Sequence, residues 1–280
     1  MLYIPILFII VLIYINKKNR IKEKMENRKG LLLLYGESFR EGNQGVRLRD
    51  TENSFEPQKK SSMEHNHLCN VIKEKYNYDM DILINTYDTK YENELKSWYN
   101  NYPLKYIKNA ELVGPDNLVK NALKQINPDE YDFIIFTRMD VCFKPFFIET
   151  FTINHEKIMF LSIHNIHYNT REWKCGFMLD VPETPVNTNT PVVNGTILIV
   201  PKKHYTIFKD MTVDHHAWWK FNQNEIKNEE MDFILDTYHD ADPFKESNPA
   251  YYFSSRPETI TVNDVKLDRS IIGTNKDLIC

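Results

Sequence analysis

One acidic motif follows a strongly apolar segment and could hold a charged ligand. Asp140 ends the triplet Arg138-Met139-Asp140, at the exit of the run YDFIIFTR (131–138), which we predict to be a buried strand. In an open α/β sheet, ligands bind beyond the carboxyl ends of the strands. A carboxylate there could hold a divalent cation against a diphosphate. The alternatives are an Arg138–Asp140 ion pair and an aspartate that caps a turn.

Two D-x-D triplets occur elsewhere in the chain. The triplet DMD (79–81) stands at the amino end of the predicted strand 81–87, which is the wrong end for a ligand, and we interpret it as a solvated turn. The triplet DAD (240–242) follows His239 late in the chain.

A basic loop follows the first predicted strand, LLLLY (31–35). Its arginines stand among glycines, so they could bind an anionic diphosphate while backbone N–H groups face it. A charged surface loop is the alternative. Neither GxxxxGK[ST] nor the Rossmann fingerprint occurs. The residues predicted to bind a ligand that carries such a diphosphate are Tyr35, Gly36, Glu37, Arg40, Arg47, Arg49 and Arg138.

An α/β framework is needed to bring these residues together. From Leu31 onward, short apolar runs alternate with helix-like segments, which is typical of a domain of that class. We predict strands at 31–35, 81–87, 106–107, 131–138, 157–164, 192–201 and 251–253. We predict helices at 62–76, 92–99, 117–126, 204–211 and 231–238. The long polar and aromatic stretch 165–191 has no clear periodicity.

Composition excludes several classes of protein. The chain is 42% apolar and 13% aromatic, which is enough for a core and excludes wholesale disorder. Its 35 Lys and Arg against 39 Asp and Glu give no electrostatic basis for wrapping nucleic acid. The cysteines are widely spaced without CxxC, so we predict free thiols in a reducing compartment, with a Cys142–Cys175 disulfide as the alternative.

The N-terminus carries a short apolar segment. Residues 2–15 are uncharged, and as a helix they would span about 21 Å, less than a bilayer core of about 30 Å. We predict a membrane anchor at 1–16, a basic linker at 17–30 and one domain at 31–280. The positive-inside rule keeps that domain on the cytoplasmic side, and anionic headgroups would attract the linker. A disordered apolar tail is the alternative.

Four strings carry a family resemblance that covers most of the chain from Leu31 to Arg256. LLLLYGESFREGNQGVRLRDTE, FTRMDVCF, VVNGTILIVP and TYHDADPFKESNPAYYF resemble GT-A-type, exostosin-like glycosyltransferases of large algal viruses, the chloroviruses. The resemblance implies a single Rossmann-like, nucleotide-sugar-binding α/β domain with a mixed central sheet. It also implies a UDP-sugar donor (xylose), Mn²⁺ or Mg²⁺ as cofactor, and a fucose-containing N-glycan of a capsid glycoprotein as acceptor, in host cytoplasm.

The resemblance also suggests roles for individual residues. Asp140 takes the place of the last carboxylate of the usual D-x-D, and Arg138 stands where its first acid would be. His239 becomes a second metal or diphosphate contact, with a surface histidine as the alternative. The Asn194-Gly195 pair resembles an acceptor-facing strand, where glycine permits close approach of a sugar. A turn that leads into a strand is the alternative. The predicted acceptor-binding residues are Asn194, Gly195, Trp173 and Trp218.

Transfer with inversion needs a base that takes the proton of the acceptor hydroxyl. Asp214 and Glu230 are the candidates, and Asp214 is favoured because histidines and tryptophans cluster beside it. For Glu230 the alternative is an exposed carboxylate in the first turn of a helix.

A second hypothesis is a non-catalytic carbohydrate-binding or virion-assembly protein. It would keep the nucleotide-sugar fold without turnover, because the first acid of the D-x-D is missing. A nuclease or phosphatase that uses Asp140 is disfavoured, because no second cluster of acids and histidines lies near it in sequence.

Overall fold

The computed structural model describes residues 28–41, 48–109, 115–164, 192–206, 218–220, 231–234 and 250–254. In these ranges the strands are β1 (Lys29–Tyr35), β2 (Arg40–Glu41), β3 (Leu48–Arg49), β4 (Asp79–Tyr87), β5 (Leu104–Asn109), β6 (Phe133–Arg138), β7 (Val141–Phe143), β8 (Ile158–His164), β9 (Val192–Pro201), β10 (Trp218–Lys220), β11 (Met231–Phe233) and β12 (Tyr251–Phe253). The α-helices are α1 (Phe55–Tyr76), α2 (Glu92–Trp98), α3 (Pro115–Leu123) and α4 (Pro145–Thr150).

The central sheet is mixed, and it fixes where a ligand could bind. Its order is β11-β8-β9-β6-β1-β4-β5, with β10 added beside β9. Strands β6, β1, β4 and β5 are parallel neighbours, whereas β9 runs antiparallel to β6 and β8. The carboxyl ends of β1, β4, β5 and β6 therefore meet at one edge, together with the amino end of β9. We call this the carboxyl edge, and the sheet confirms the predicted α/β fold class.

The strand β1 is buried on both faces, which explains its unbroken leucine run. Leu32 and Leu34 pack in the cluster that contains Leu68 and Ile72 of α1. Leu31 and Leu33 pack in the cluster of α3, with residues such as Leu118 and Ala122. Successive side chains of a strand point to opposite faces, so a strand covered on both sides reads as continuously apolar.

Two of the predicted helices differ most from the structure. Helix α1 begins at Phe55 rather than near Ser62, because its first turns bury polar side chains that an apolar pattern does not reveal. The helix predicted at 231–238 is wrong for its first residues, since Met231–Phe233 form a strand that pairs parallel with β8. The predicted helix 204–211 lies outside the described residues beyond position 206.

The predicted solvated turn at 79–81 is a strand in the structure. Asp79 begins β4 at the edge opposite the carboxyl edge, as the sequence predicts for this triplet. The Asp81 carboxylate lies 3.5 Å from Lys29 Nζ and accepts a hydrogen bond of 3.1 Å from the Tyr131 hydroxyl. The second aspartate of the triplet therefore has structural partners.

The N-terminal anchor predicted at 1–16 lies outside the described residues, as do residues 17–27 of the linker. Strand β1 already begins at Lys29, before the predicted domain start. Among the described helices none is long and apolar enough to cross a membrane. Cys69 and Cys142 are buried free thiols, as predicted, while Cys175 lies outside the described residues.

Gly30 has no room for a side chain, which gives a stability prediction. A Cβ atom there would lie 2.4 Å from Cζ of Phe133 and 2.7 Å from Sδ of Met80, both buried. We expect Gly30→Ala to lower the free energy of unfolding by about 1–3 kcal/mol, measured by urea denaturation, because overpacking forces neighbours off their rotamers. Phe133→Leu in the same chain should offset part of this loss. A double variant whose losses simply add would contradict the packing explanation.

Candidate functional site

Three neighbouring strands end side by side at the carboxyl edge. Tyr35, the last residue of β1, pairs in register with Arg138 of β6 on one side and with Asn85 of β4 on the other. Neighbouring side chains in register share a face of the sheet. Tyr35 belongs to the cluster on the α3 face, so all three residues lie at the end of that face. The predicted donor-binding residues Tyr35 and Arg138 are therefore brought together.

The loop after β1 turns sharply at Gly36. This glycine has φ +110°, a conformation that side-chain-bearing residues rarely adopt. Its N–H donates to the carbonyl of Asn85 at 3.2 Å, and its carbonyl accepts from the Thr86 hydroxyl at 2.8 Å. The same hydroxyl oxygen accepts from the N–H of Ser38 at 3.1 Å. Strand β4 therefore fixes the backbone of this loop.

The described arginines of the loop after β1 have different partners. Arg40 Nε lies 3.6 Å from a carboxylate oxygen of Glu37, so these two predicted donor-binding residues form an ion pair. The guanidinium of Arg49 stacks over the ring of Tyr87, 5.4 Å from its centroid, at the carboxyl end of β4. Arg49 thus stands at the carboxyl edge with a cation–π contact. Arg47 lies outside the described residues.

Arg138 and Asp140 form a bidentate pair at the end of β6. Arg138 Nε donates to Oδ1 of Asp140 at 2.8 Å, and Nη2 donates to Oδ2 at 2.6 Å. The Asp140 side chain is 4% exposed and that of Arg138 is 25% exposed. Burial lowers the pKa of Arg138, but the Asp140 carboxylate more than offsets this, and the net pKa is raised. The ion-pair alternative for this motif is confirmed.

This arrangement does not fit the divalent cation that the resemblance implies. Mn²⁺ or Mg²⁺ binds through carboxylate oxygens, and both oxygens of Asp140 accept hydrogen bonds from Arg138. Within the described ranges no group of three or more His, Cys, Asp or Glu side chains could hold a metal ion. His239, the second predicted metal contact, lies outside the described residues.

The predicted acceptor residues lie at the same edge, close to the exit of β6. Thr137 of β6 pairs with Ile197 of β9, and further along β9 Asn194 pairs with Trp218 of β10. Asn194 also pairs with Ser162 of β8. Because β8 occupies one side of β9 there, β10 lies on the other side, in line beyond the end of β6. Three residues of strand separate Asn194 from Ile197, about 10 Å.

The predicted donor-binding and acceptor-binding residues therefore lie at the same edge of the sheet. Gly195 follows Asn194 in β9, so three of the four predicted acceptor residues occupy register positions at the carboxyl edge, beside Tyr35 and Arg138. Trp173 lies outside the described residues.

The two candidate bases lie outside the described residues, but their neighbours in sequence lie at opposite edges. Trp218, four residues after Asp214, stands at the carboxyl edge opposite Asn194. Met231, directly after Glu230, pairs with Ile158 at the amino end of β8. The length of β8, about 20 Å, separates that end from the carboxyl edge.

A buried polar stripe supports the site, and the sequence analysis missed it. We define it as Gln58, Ser61, Ser62 and His65, which share one face of α1 and are all buried. Gln58 Oε1 accepts from the N–H of Phe39 at 2.9 Å, and Nε2 donates to the carbonyl of Met139 at 3.0 Å. One side chain thus joins the loop after β1 to the Arg138–Asp140 turn.

A signal for this stripe exists in the sequence. Its residues follow the helical spacing i, i+3, i+4, i+7 and continue directly into the apolar positions Leu68, Cys69 and Ile72. A polar stripe in line with an apolar one indicates that one face of the helix packs in the core at one end and contacts polar backbone groups at the other.

No family model matches the chain, and no curated protein matches it. Among solved structures, the catalytic domain of Drosophila β1,4-galactosyltransferase 7 with xylobiose is 12% identical, with TM-score 0.37, over 81% of this chain and 70% of that one. The 4-diphosphocytidyl-2C-methyl-D-erythritol synthase of Anaerococcus prevotii is 12% identical, with TM-score 0.44, over 89% and 98%. Residues 1–349 of S. aureus TarS are 13% identical, with TM-score 0.40, over 80% of this chain and 60% of that chain.

Proposed function

We propose that this chain is a glycosyltransferase that moves a sugar from a UDP-sugar to a glycan. The observation that carries the proposal is the convergence at the carboxyl edge. Arg138 and Arg49, which could bind a diphosphate, lie at the ends of β6 and near the end of β4. Asn194 and Trp218 pair with each other at the start of β9 and β10, at the same edge of the sheet and in line beyond the end of β6. A transferase needs such adjacent donor and acceptor sites.

The proposed reaction needs a base at the acceptor and a cation at the donor diphosphate. Asp214 takes the proton of the acceptor hydroxyl, whose oxygen then forms the new bond to the anomeric carbon. The bond from that carbon to the diphosphate breaks, and UDP leaves with the electron pair. Negative charge grows on the leaving diphosphate, so a fixed cation at the end of β6 stabilises the transition state. Trp218 suits an acceptor-binding role because an aromatic residue can offer an apolar face to a sugar.

The finer assignments rest on the resemblance of four sequence strings to glycosyltransferases of large algal viruses. It supports xylose as the transferred sugar and a fucose-containing N-glycan of a capsid protein as the acceptor. It also supports host cytoplasm as the location. The uncharged run 2–15 and the basic residues behind it support attachment to a membrane surface, with the domain facing the cytosol.

A donor panel tests the proposal. The full chain is incubated with UDP-xylose, UDP-glucose, UDP-galactose and UDP-N-acetylglucosamine, each with a fucosylated and a defucosylated glycan, and UDP release is followed. We expect release from UDP-xylose above all, and faster release with the fucosylated glycan, because specific contacts in the pocket set the preference between donors.

The non-catalytic alternative makes the opposite prediction. If the chain binds the fucosylated glycan but releases UDP from no donor, the carbohydrate-binding hypothesis replaces the transferase. Release from a different donor would keep the transferase and reject xylose.

A further inference from the structure

The Arg138–Asp140 pair is held rigidly by the chain around it. The carbonyl of Asp140 accepts from the backbone N–H of Ser254 at 2.8 Å. In the same turn, the N–H of Met139 donates to the carbonyl of Tyr35 at 3.0 Å, and its carbonyl accepts from Gln58. The backbone of the turn is thus fixed by β1, by α1 and by the residue after β12. A turn fixed in this way holds the Asp140 carboxylate in one place.

The guanidinium has a second contact that fixes its plane. Cζ of Arg138 lies 4.6 Å from the centroid of the Phe253 ring, and Phe253 is anchored by its pairing with Val141 in β7. A guanidinium over an aromatic face gains a cation–π attraction. Asp140 and Phe253 together therefore orient the Arg138 charge before any ligand arrives.

The pair leaves hydrogen-bonding capacity for an anion. Nε and one N–H of Nη2 donate to Asp140, while the other N–H groups of the guanidinium make no hydrogen bond to a described residue. The Tyr35 hydroxyl, paired in register with Arg138, also has no hydrogen-bond partner among the described residues. Burial raises the pKa of Tyr35 to about 12, against a smaller opposite effect of the Arg138 charge, so this hydroxyl keeps its proton.

A cation bound to Asp140 would have to displace this arrangement. Both carboxylate oxygens serve Arg138, and a metal on either one would leave the guanidinium, one quarter exposed, without part of its compensating charge. Breaking a buried ion pair by engaging one partner elsewhere is costly for the partner left behind. The geometry thus favours a guanidinium, rather than a metal, as the cation at this position.

On the basis of the function proposed above, we propose that the Arg138 guanidinium binds the donor diphosphate in place of a divalent cation. Asp140 is then a positioning residue for Arg138 and not a metal ligand. Planar guanidinium groups suit phosphate oxygens because they donate two parallel hydrogen bonds. The donor binds and UDP leaves without a metal requirement.

The first test measures the affinity of the full chain for UDP by calorimetry, once with EDTA and once with Mn²⁺. We expect the same affinity in both. Arg138→Gln should weaken binding by about 10- to 100-fold in either medium, since hydrogen bonds to charged groups are strong. Lys203→Gln is the matched control, because this exposed lysine pairs with Glu156 beyond the opposite end of β9 and should not affect UDP binding.

The second test separates positioning from metal binding. If Asp140 acts only through Arg138, Asp140→Asn will change UDP affinity in the wild-type chain but not in the Arg138→Gln chain. A metal ligand would instead show its effect only with Mn²⁺, and would show it in both backgrounds. The variant with both Arg138→Gln and Asp140→Asn removes both charges of the pair. If Arg138→Gln alone fails to fold, this double variant measures the loss of UDP affinity in its place.

The outcomes distinguish this inference from the proposed function. UDP binding that requires Mn²⁺, or a bound Mn²⁺ signal in electron paramagnetic resonance that Asp140→Asn removes, would overturn the guanidinium assignment and leave the transferase standing. No UDP binding in either medium would overturn the proposed function itself, and this inference with it.

Discussion

Replacing the proposed base Asp214 by asparagine is expected to lower kcat for the proposed donor, UDP-xylose, by about 10²–10⁴-fold, the range that a positioned general base contributes. Asparagine keeps the size of the side chain but cannot take a proton. The expectation follows from register, since Trp218, four residues later, pairs with Asn194 at the carboxyl edge. A chain of four residues reaches at most about 14 Å, so Asp214 is within reach of the acceptor position.

Glu230 provides the matched comparison. Its neighbour Met231 enters the sheet opposite Ile158, at the edge remote from Arg138 and Asn194. Glu230→Gln is therefore expected to leave kcat within about twofold, because a residue adjacent to Met231 is remote from the proposed acceptor position by about the length of β8.

Initial rates of UDP release at saturating donor and acceptor check both variants side by side. Asp214→Asn should reduce kcat while the UDP affinity stays unchanged, since the base does not contact the diphosphate. If Glu230→Gln abolishes turnover and Asp214→Asn does not, the assignment of the base is wrong. If UDP affinity falls with kcat in Asp214→Asn, the residue serves donor binding instead.

The central strands β1 and β6 of the carboxyl edge could be predicted from the sequence because each is buried on both faces. The runs 31–35 and 131–138 are near-continuously apolar, and both form central parallel strands. Strand β11 could not be predicted in this way. Its three residues take their strand conformation from pairing with β8, a contact distant in sequence, and their apolar spacing also suits a helix.

The positions of these candidate residues in the sheet could be predicted, whereas their hydrogen-bond partners could not. The rule that ligands bind at the carboxyl ends of parallel strands located Tyr35, Arg138 and Asp140 correctly at one edge. Whether Asp140 binds a metal ion or Arg138 depends on the geometry of the turn that runs from Arg138 to Asp140. That turn is fixed by Gln58 and Ser254, which lie far from Asp140 in sequence. Sequence patterns carry no information on such tertiary hydrogen bonds.

Acidification from pH 7 to pH 5 is expected to reduce the free energy of unfolding, with His65 alone responsible for about 2 kcal/mol. His65 is buried within α1, its Nδ1 lies 2.8 Å from the Tyr99 hydroxyl, and its ring packs on Phe143 of β7. Burial lowers the pKa of His65 to about 3, and only part of this is offset by the backbone of Val141 and the charge of Asp140.

The direction follows from proton binding in the two states. The unfolded chain protonates this histidine below about pH 6.5, whereas the folded chain keeps it neutral down to about pH 3. Between these values the unfolded state binds more protons, so stability is lost as the pH falls through this window. Above pH 6.5 the residue is neutral in both states and contributes no pH dependence.

Urea denaturation between pH 7 and pH 5 measures this contribution by comparing variants of one helix. His65→Gln removes the titrating ring and leaves an amide that can reach the Tyr99 hydroxyl. Between pH 7 and pH 5, the free energy of unfolding of this variant should therefore fall by about 2 kcal/mol less than that of the wild-type chain. His67→Gln, a substitution at an exposed position of the same helix, is the matched control for the loss of a histidine side chain. Equal slopes in all three proteins would show that His65 is protonated in the folded chain as readily as in the unfolded one. The polar stripe would then admit a charge in the folded chain, and the burial of His65 would not keep its ring neutral.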